Sequence, residues 1–164
     1  MPNSFRRLTG KGGFTLIEGM LAATVLAVGL LALAGMQGMA LGRNVDANEL
    51  TLATNLAADM VERVQFNRRN ARFYNGINTT DGTTVPTSDV MAAGDYVQWK
   101  SRLEAAQLQG SSLANVQGVV AVTPFDAAIP FLNQRQVAVQ VLWRSGTGPS
   151  RTKRVTLSSV IAPE

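Results

Sequence analysis

Apolar and polar positions divide the chain into three regimes. The first is apolar on every side: Gly19–Gly42 is a run of 24 residues without a charge, closed by Arg43. Wound as an α-helix at 1.5 Å per residue, such a run spans roughly 36 Å, enough for a hydrocarbon core of about 30 Å. In the second regime apolarity becomes periodic. Val45, Leu52, Leu56, Met60 and Val64 recur at spacings of seven or four, and Ala53 and Ala57 widen the stripe. Asp46, Asn48, Glu49, Asn55, Asp59, Glu62 and Arg63 are placed on the opposite faces. One stripe at helical spacing predicts an amphipathic helix whose apolar face needs a cover. The two regimes together predict one long helix from about Phe14 to about Arg69, with Asp59 and Arg63 four apart in the stabilising order.

The third regime mixes turn signals with alternation. Asn75–Gly94 is rich in Thr, Asn, Asp and Gly, contains Pro86, and reads as a loop. Asn78-Thr79-Thr80 inside it matches the glycosylation triplet, a motif short enough to arise by chance. Asp95–Leu108 predicts a short helix capped by Asp95, with Gln98 at the reciprocal capping-box position and Trp99, Leu103 and Ala106 on its inner face. Three strands follow, at Val116–Thr123, Gln136–Arg144 and Arg154–Ile161. In the second, Val137, Val139, Val141 and Trp143 alternate onto one face; in the third, Val155, Leu157 and Ile161 face inward. Ser145–Ser150 joins the last two as a hairpin loop. The expected fold class is therefore α+β: a long N-terminal helix whose amphipathic half packs on a small antiparallel sheet of three or four strands.

Composition narrows the chemistry. The formal charge of +4 invites a nucleic-acid reading, but Arg6, Arg7 and Lys11 account for three of the fifteen basic residues, leaving twelve against eleven acidic ones from Phe14 onward. The charge is thus concentrated ahead of the apolar run, where a cytoplasmic flank carries it. Arg63, Arg68, Arg69 and Arg72 interleave with Phe66, Phe73 and Tyr74, a pattern that suits single-stranded nucleic acid. A nearly neutral chain lacks the non-specific affinity such binding needs, so the cluster reads as a solvated helix end and no nucleic-acid partner is expected. With no cysteine and no histidine, disulfides, thiolate sites, histidine-based triads and the usual zinc ligands are excluded. Lys100, Ser101 and Lys153 stand in no catalytic spacing, and Gly10-Lys11 lacks the rest of a phosphate-binding loop. No enzyme activity, metal or cofactor is expected.

Glu18 is the anomaly, a carboxylate at the mouth of a membrane-grade helix. A cleaved secretory signal with a site such as Ala32-Leu33-Ala34 would need a shorter apolar run and would hold Glu18 inside it. A plain single-span anchor accounts for the length but leaves the acid unexplained. The run Lys11-Gly12-Gly13-Phe14-Thr15-Leu16-Ile17-Glu18 closely resembles the leader junction of the type IV pilin-like family. That resemblance implies cleavage after Gly13 by a prepilin peptidase, N-methylation of the new terminus at Phe14, and an apolar helix that anchors the chain before it enters a filament core. Side-chain-free glycines at 12 and 13 give a protease an unobstructed backbone, and a carboxylate in the first turn complements the helix dipole. The Phe14 amine and the Glu18 carboxylate of neighbouring subunits then pair in an apolar bundle, where each alone would cost several kcal/mol.

Within that family Leu52–Asn75 resembles the PilV-type minor pilins (type IV pilus modification proteins) at Asp59, Met60, Glu62, Arg63, Asn67, Arg68 and Tyr74, and the Val-x-Val-x-Trp ending at Trp143 does so again. The long helix has no proline in its first half and the head has no cysteine, unlike many major pilins. The organisation this implies is a leader at 1–13, a transmembrane and filament-core helix at 14–42, an amphipathic half at 43–74 and a globular head at 75–164. The implied protein is a minor pilin that joins or primes a type IV pilus. It is single-pass in the inner membrane with a cytoplasmic N-terminus and a periplasmic head, and its partners are prepilin peptidase, other minor pilins and the major pilin. The alternatives are a minor pseudopilin of type II secretion and a signal-anchored periplasmic binding or adhesion domain. The pairing hypothesis has a direct test: Glu18→Ala should be processed but enter filaments far less than wild type, and equal incorporation, measured by immunoblot of sheared pili, refutes it.

Overall fold

The computed structural model describes residues 14–108, 113–126, 128, 133–145 and 151–162. Its elements, in order, are helix α1 (Leu16–Phe66), a 3-10 helix (Arg68–Tyr74), a 3-10 turn (Gly82–Thr84), helix α2 (Val90–Leu108), and strands β1 (Leu113–Pro124), β2 (Arg135–Ser145) and β3 (Thr152–Ile161). The chain forms two compact units, one up to Leu41 and one from Gly42 onward. The expected leader, including Gly13, and the hairpin loop at 146–150 lie outside the described residues.

In the first unit α1 exposes its large apolar side chains: Leu16 is 82 % exposed and Leu31 73 %. By length and composition this helix can cross a membrane. A Cβ added at Gly19, Gly29, Gly35 or Gly38 would meet open space.

The second unit is α+β, with the other half of α1 packed on a three-stranded antiparallel sheet in the order β1-β2-β3. The predicted stripe supplies the helix side of the core: Ala53, Leu56, Ala57, Met60 and Val64 are buried. The sheet side comes from the predicted alternation, with Val137, Val139, Val141 and Trp143 all buried, and Ile161 with them. Helix α2 adds Ala92, Tyr96, Trp99, Leu103 and Ala106, at spacings of four and three that form one face. Full burial of a large apolar side chain contributes about 1.5–3 kcal/mol by area removed from water, so Trp99, Trp143 and Met60 are the main apolar anchors.

Several boundaries differ from expectation. Helix α1 ends at Phe66, not Arg69, and the chain tightens into the 3-10 helix. Asn67 sits at the change with φ −99° and ψ 38°, and its side-chain amide donates to the Tyr74 hydroxyl and to Asp89. The loop after Asn75 is shorter than predicted, because α2 starts at Val90 instead of Asp95. Its cap is Asp89, whose Oδ1 accepts the Ala92 N–H at 2.7 Å. Asp95 and Gln98 are not a capping box: both accept from the Arg63 guanidinium. Strand β1 starts at Leu113, three residues earlier than expected. A bulge between Ala114 and Gln117 breaks the alternation there, with Asn115 in the left-handed region at φ 52°.

Trp99 packs closely on the backbone of β1 at Gly118. A Cβ built on Gly118 would fall 2.2 Å from Trp99 Cη2 and 2.9 Å from a Leu103 methyl, and the indole cannot swing away because its Nε1 donates to the Leu56 carbonyl at 2.8 Å. Gly118→Ala should therefore destabilise the head by about 1–3 kcal/mol through overpacking, seen as a lower urea midpoint with tryptophan fluorescence as the probe.

Candidate assembly site

The N-terminal site residues fall at the start of α1. Phe14 is 78 % exposed and precedes the first helical residue. Glu18 lies in the first turn, exposed, with its N–H donating to the Thr15 carbonyl at 3.0 Å. The same N–H approaches Thr15 Oγ1 at 3.4 Å, which places Thr15 at the N-cap and Glu18 at the third helical position. Thr15-x-x-Glu18 is a capping-box signature, a sequence signal that the dipole argument alone did not draw on. A negative charge at this end is stabilised by the exposed helix N–H groups. The turn thus presents an aromatic side chain and a carboxylate on one exposed helix start.

Where the head begins, the structure corrects a sequence assignment. Glu49 was placed on the polar side of the amphipathic helix, but it is 1 % exposed and continues the buried stripe, four residues ahead of Ala53. Among the described residues, donors from the sheet reach it. Trp143 Nε1 donates to Oε2 at 3.0 Å, Ser145 Oγ to Oε1 at 3.1 Å, and Lys153 Nζ to Oε2 at 3.0 Å. Lys153 also donates to Asp46 at 2.9 Å. A carboxylate in this setting is tolerable only when its lone pairs are matched and its charge is paired. The missed signal is the spacing itself: Glu49, Ala53, Leu56 and Met60 follow one another by four, three and four, so the acid shares their face.

A second polar cluster lies further along α1, where α2 packs on it. Arg63 Nε donates to Asp59 at 3.2 Å, as the spacing of four predicted, and its Nη1 donates to Asp95 and Gln98 of α2, each at 2.9 Å. Arg102 of α2 also reaches Asp59 at 2.9 Å. The Tyr74 hydroxyl donates to Asp95 at 2.5 Å and accepts from Asn67, while Asn67 and Asn70 donate to the two oxygens of Asp89. Burial, then the bond to Asp95, pushes the Tyr74 phenol well above its ordinary value. Above this network lies an open hollow of about 390 Å³ lined by Asp59, Glu62, Arg63, Phe66, Met91 and Asp95.

The resemblance positions in this stretch separate accordingly. Asp59, Arg63, Asn67 and Tyr74 belong to the network, Met60 is core, and Glu62 and Arg68 are exposed. The arginine–aromatic interleave does not form one surface: Tyr74 is buried, Arg63 is held by α2, and Arg72 lies over the Phe73 ring at 4.7 Å. Asn78 of the glycosylation triplet is engaged locally, its Oδ1 accepting from the Thr80 backbone and from Gln117. No family model, curated protein or solved structure matches the chain.

The bonds to Asp46 and Glu49 raise the pKa of Lys153 above its ordinary value. Its stabilising effect is complete below about pH 10.4, the unfolded value, and is lost as pH rises through the higher folded one. Tyr74 acts in the same sense, since the unfolded phenol ionises first, near pH 10. The head should therefore lose stability from about pH 10 upward. Lys153→Met should lower the neutral-pH stability by about 2 kcal/mol, because a buried carboxylate loses a charged donor, and should flatten part of the alkaline decline. Urea midpoints across pH 7–11 measure both effects.

Proposed function

We infer that this chain is a minor pilin of the type IV pilin-like family, most like the PilV type, which joins or primes a pilus after its leader is removed. One observation carries the reading. A single helix has a first stretch that is exposed among the described residues and opened by Glu18, and a second stretch whose apolar face is buried under an α+β head. Bare apolar surface of this extent does not persist in water. It suits a chain held first in a bilayer and later among parallel helices of other subunits. In both settings the Phe14 amine created by cleavage after Gly13 can meet a Glu18 carboxylate.

In this reading the leader and N-terminus are cytoplasmic, the apolar helix spans the inner membrane, and the head is periplasmic until the subunit enters the pilus. Prepilin peptidase is the processing enzyme, and other minor pilins and the major pilin are the neighbours. The chain performs no catalysis. Its contribution is a shaped head on a helix that packs with others.

Two measurements test this. Mass spectrometry of the mature chain should find an N-methylated Phe14; an intact leader, or a cut after Ala34, refutes the reading. Deleting the gene should abolish surface pili and twitching. Loss of exported enzymes with pili intact would instead identify a minor pseudopilin of type II secretion.

A further inference from the structure

The two edges of the sheet are unlike. The outer edge of β1 is closed by the segment after the 3-10 helix. Gly76 N–H donates to the Val120 carbonyl, Val120 N–H to Ile77, and Thr79 N–H to Gly118. Gly118 N–H donates to Thr79 Oγ1 and Val122 N–H to Asn75 Oδ1. The even-numbered residues of β1 therefore point outward, and the odd-numbered ones bond to β2.

This parity propagates across the sheet, because successive residues of an antiparallel strand bond to opposite neighbours. Val119 and Ala121 are opposite Gln140 and Ala138, so the even residues of β2 face β1 and its odd residues face β3. Val137, Val139 and Val141 are opposite Ser159, Leu157 and Val155. The backbone groups of Arg154, Thr156, Ser158 and Val160 are consequently those that face away from the sheet. Among the described residues nothing bonds to them. Val155–Ile161 has neither charge, proline nor glycine, so the devices that normally blunt an edge strand are missing along most of β3.

Side chains beside this edge are half covered. Val155 and Leu157 on the inner face are only partly buried. The flank of α1 beside β3, marked by the bond from Gln65 to Ser159 at 3.0 Å, carries Val61, also partly buried, and Leu50, 52 % exposed. At the start of the strand the charge is one-sided: Arg144, Arg151 and Arg154 are exposed, and among the described residues no carboxylate pairs with any of them.

We propose that β3 is a docking edge for an extended segment of another polypeptide. That segment carries an acidic residue against Arg154 and apolar or β-branched residues at alternate positions over Val155, Leu157 and Leu50. Backbone pairing supplies the affinity and the alternating side chains the selection. A second copy fits less well. Its β1 edge is already closed, and a symmetric β3 pairing centred on Leu157 sets Arg154 against Val160, leaving the cations unmatched.

The test uses the full chain in detergent micelles and two synthetic peptides of roughly eight residues with alternating valine and threonine, one ending in two glutamates and the other in two lysines. Amide exchange is read residue by residue. The acidic peptide should slow exchange at Arg154, Thr156, Ser158 and Val160 by about tenfold or more, and the basic peptide should not. Ser158→Pro removes one outward N–H while sparing the bonds to β2. It should abolish the slowing while Val155 and Leu157 stay protected. Arg154→Glu, an exposed change, should reverse the preference between peptides. The proposal is overturned by no slowing, by equal slowing with both peptides, or by slowing without peptide that grows with protein concentration, which would assign the edge to a second copy.

Discussion

A buried carboxylate sets how helix and sheet meet. Glu49 lies in the apolar stripe of α1, and its donors are an indole, a hydroxyl and an ammonium contributed by β2 and β3. None of these elements can shift alone. A one-residue slip of α1 rotates Glu49 by about 100° and leaves a charge in the core without partners, a state that costs several kcal/mol. Sliding β3 against β2 by one residue would turn Lys153 to the outer face. Apolar packing alone tolerates small shifts; a carboxylate with three directional donors does not. Further along the helix Arg63 performs the corresponding task for α2, so α1 is held at two polar clamps, one to the sheet and one to α2.

What the sequence revealed was periodic and local. The helix stripe, the three strands, and the inward faces of β2 and α2 all follow from spacing, because burial in regular elements repeats at fixed intervals. What it concealed depends on contacts between distant segments. Glu49 looks like a surface acid until Trp143 and Lys153, some hundred residues away, are brought to it. Asp95 satisfies every local rule for a cap, yet Asp89 takes that role because Asp95 is drawn to Arg63 and Tyr74. The start of strand β1 is hidden because its bulge suspends the alternation that reveals strands. For the site, Phe14 and Glu18 were legible as a motif, whereas the roles of Lys153 and Asn67 were not.

The resemblances carry different weights. Near Leu52–Asn75 most matching positions are core or members of the Arg63–Tyr74 network, so their residue types are accounted for by seating α2 and the 3-10 helix against α1. That makes them indicators of a head architecture. The first turn of α1 is different: among the described residues nothing packs on Phe14 or Glu18, which are both exposed. The case for a filament or membrane role therefore rests on the bare end of the helix, and the case for a particular subtype on the buried one.

The chain has only two tryptophans, and each indole N–H ends on α1, one at a neutral carbonyl and the other at a carboxylate. Native fluorescence is thus a gauge of how the helix is seated. Trp143 senses the charged contact and Trp99 the neutral one, so a disturbance confined to one of these contacts should alter one emitter and spare the other. Movement of the helix within its cradle can be followed optically in the unlabelled protein.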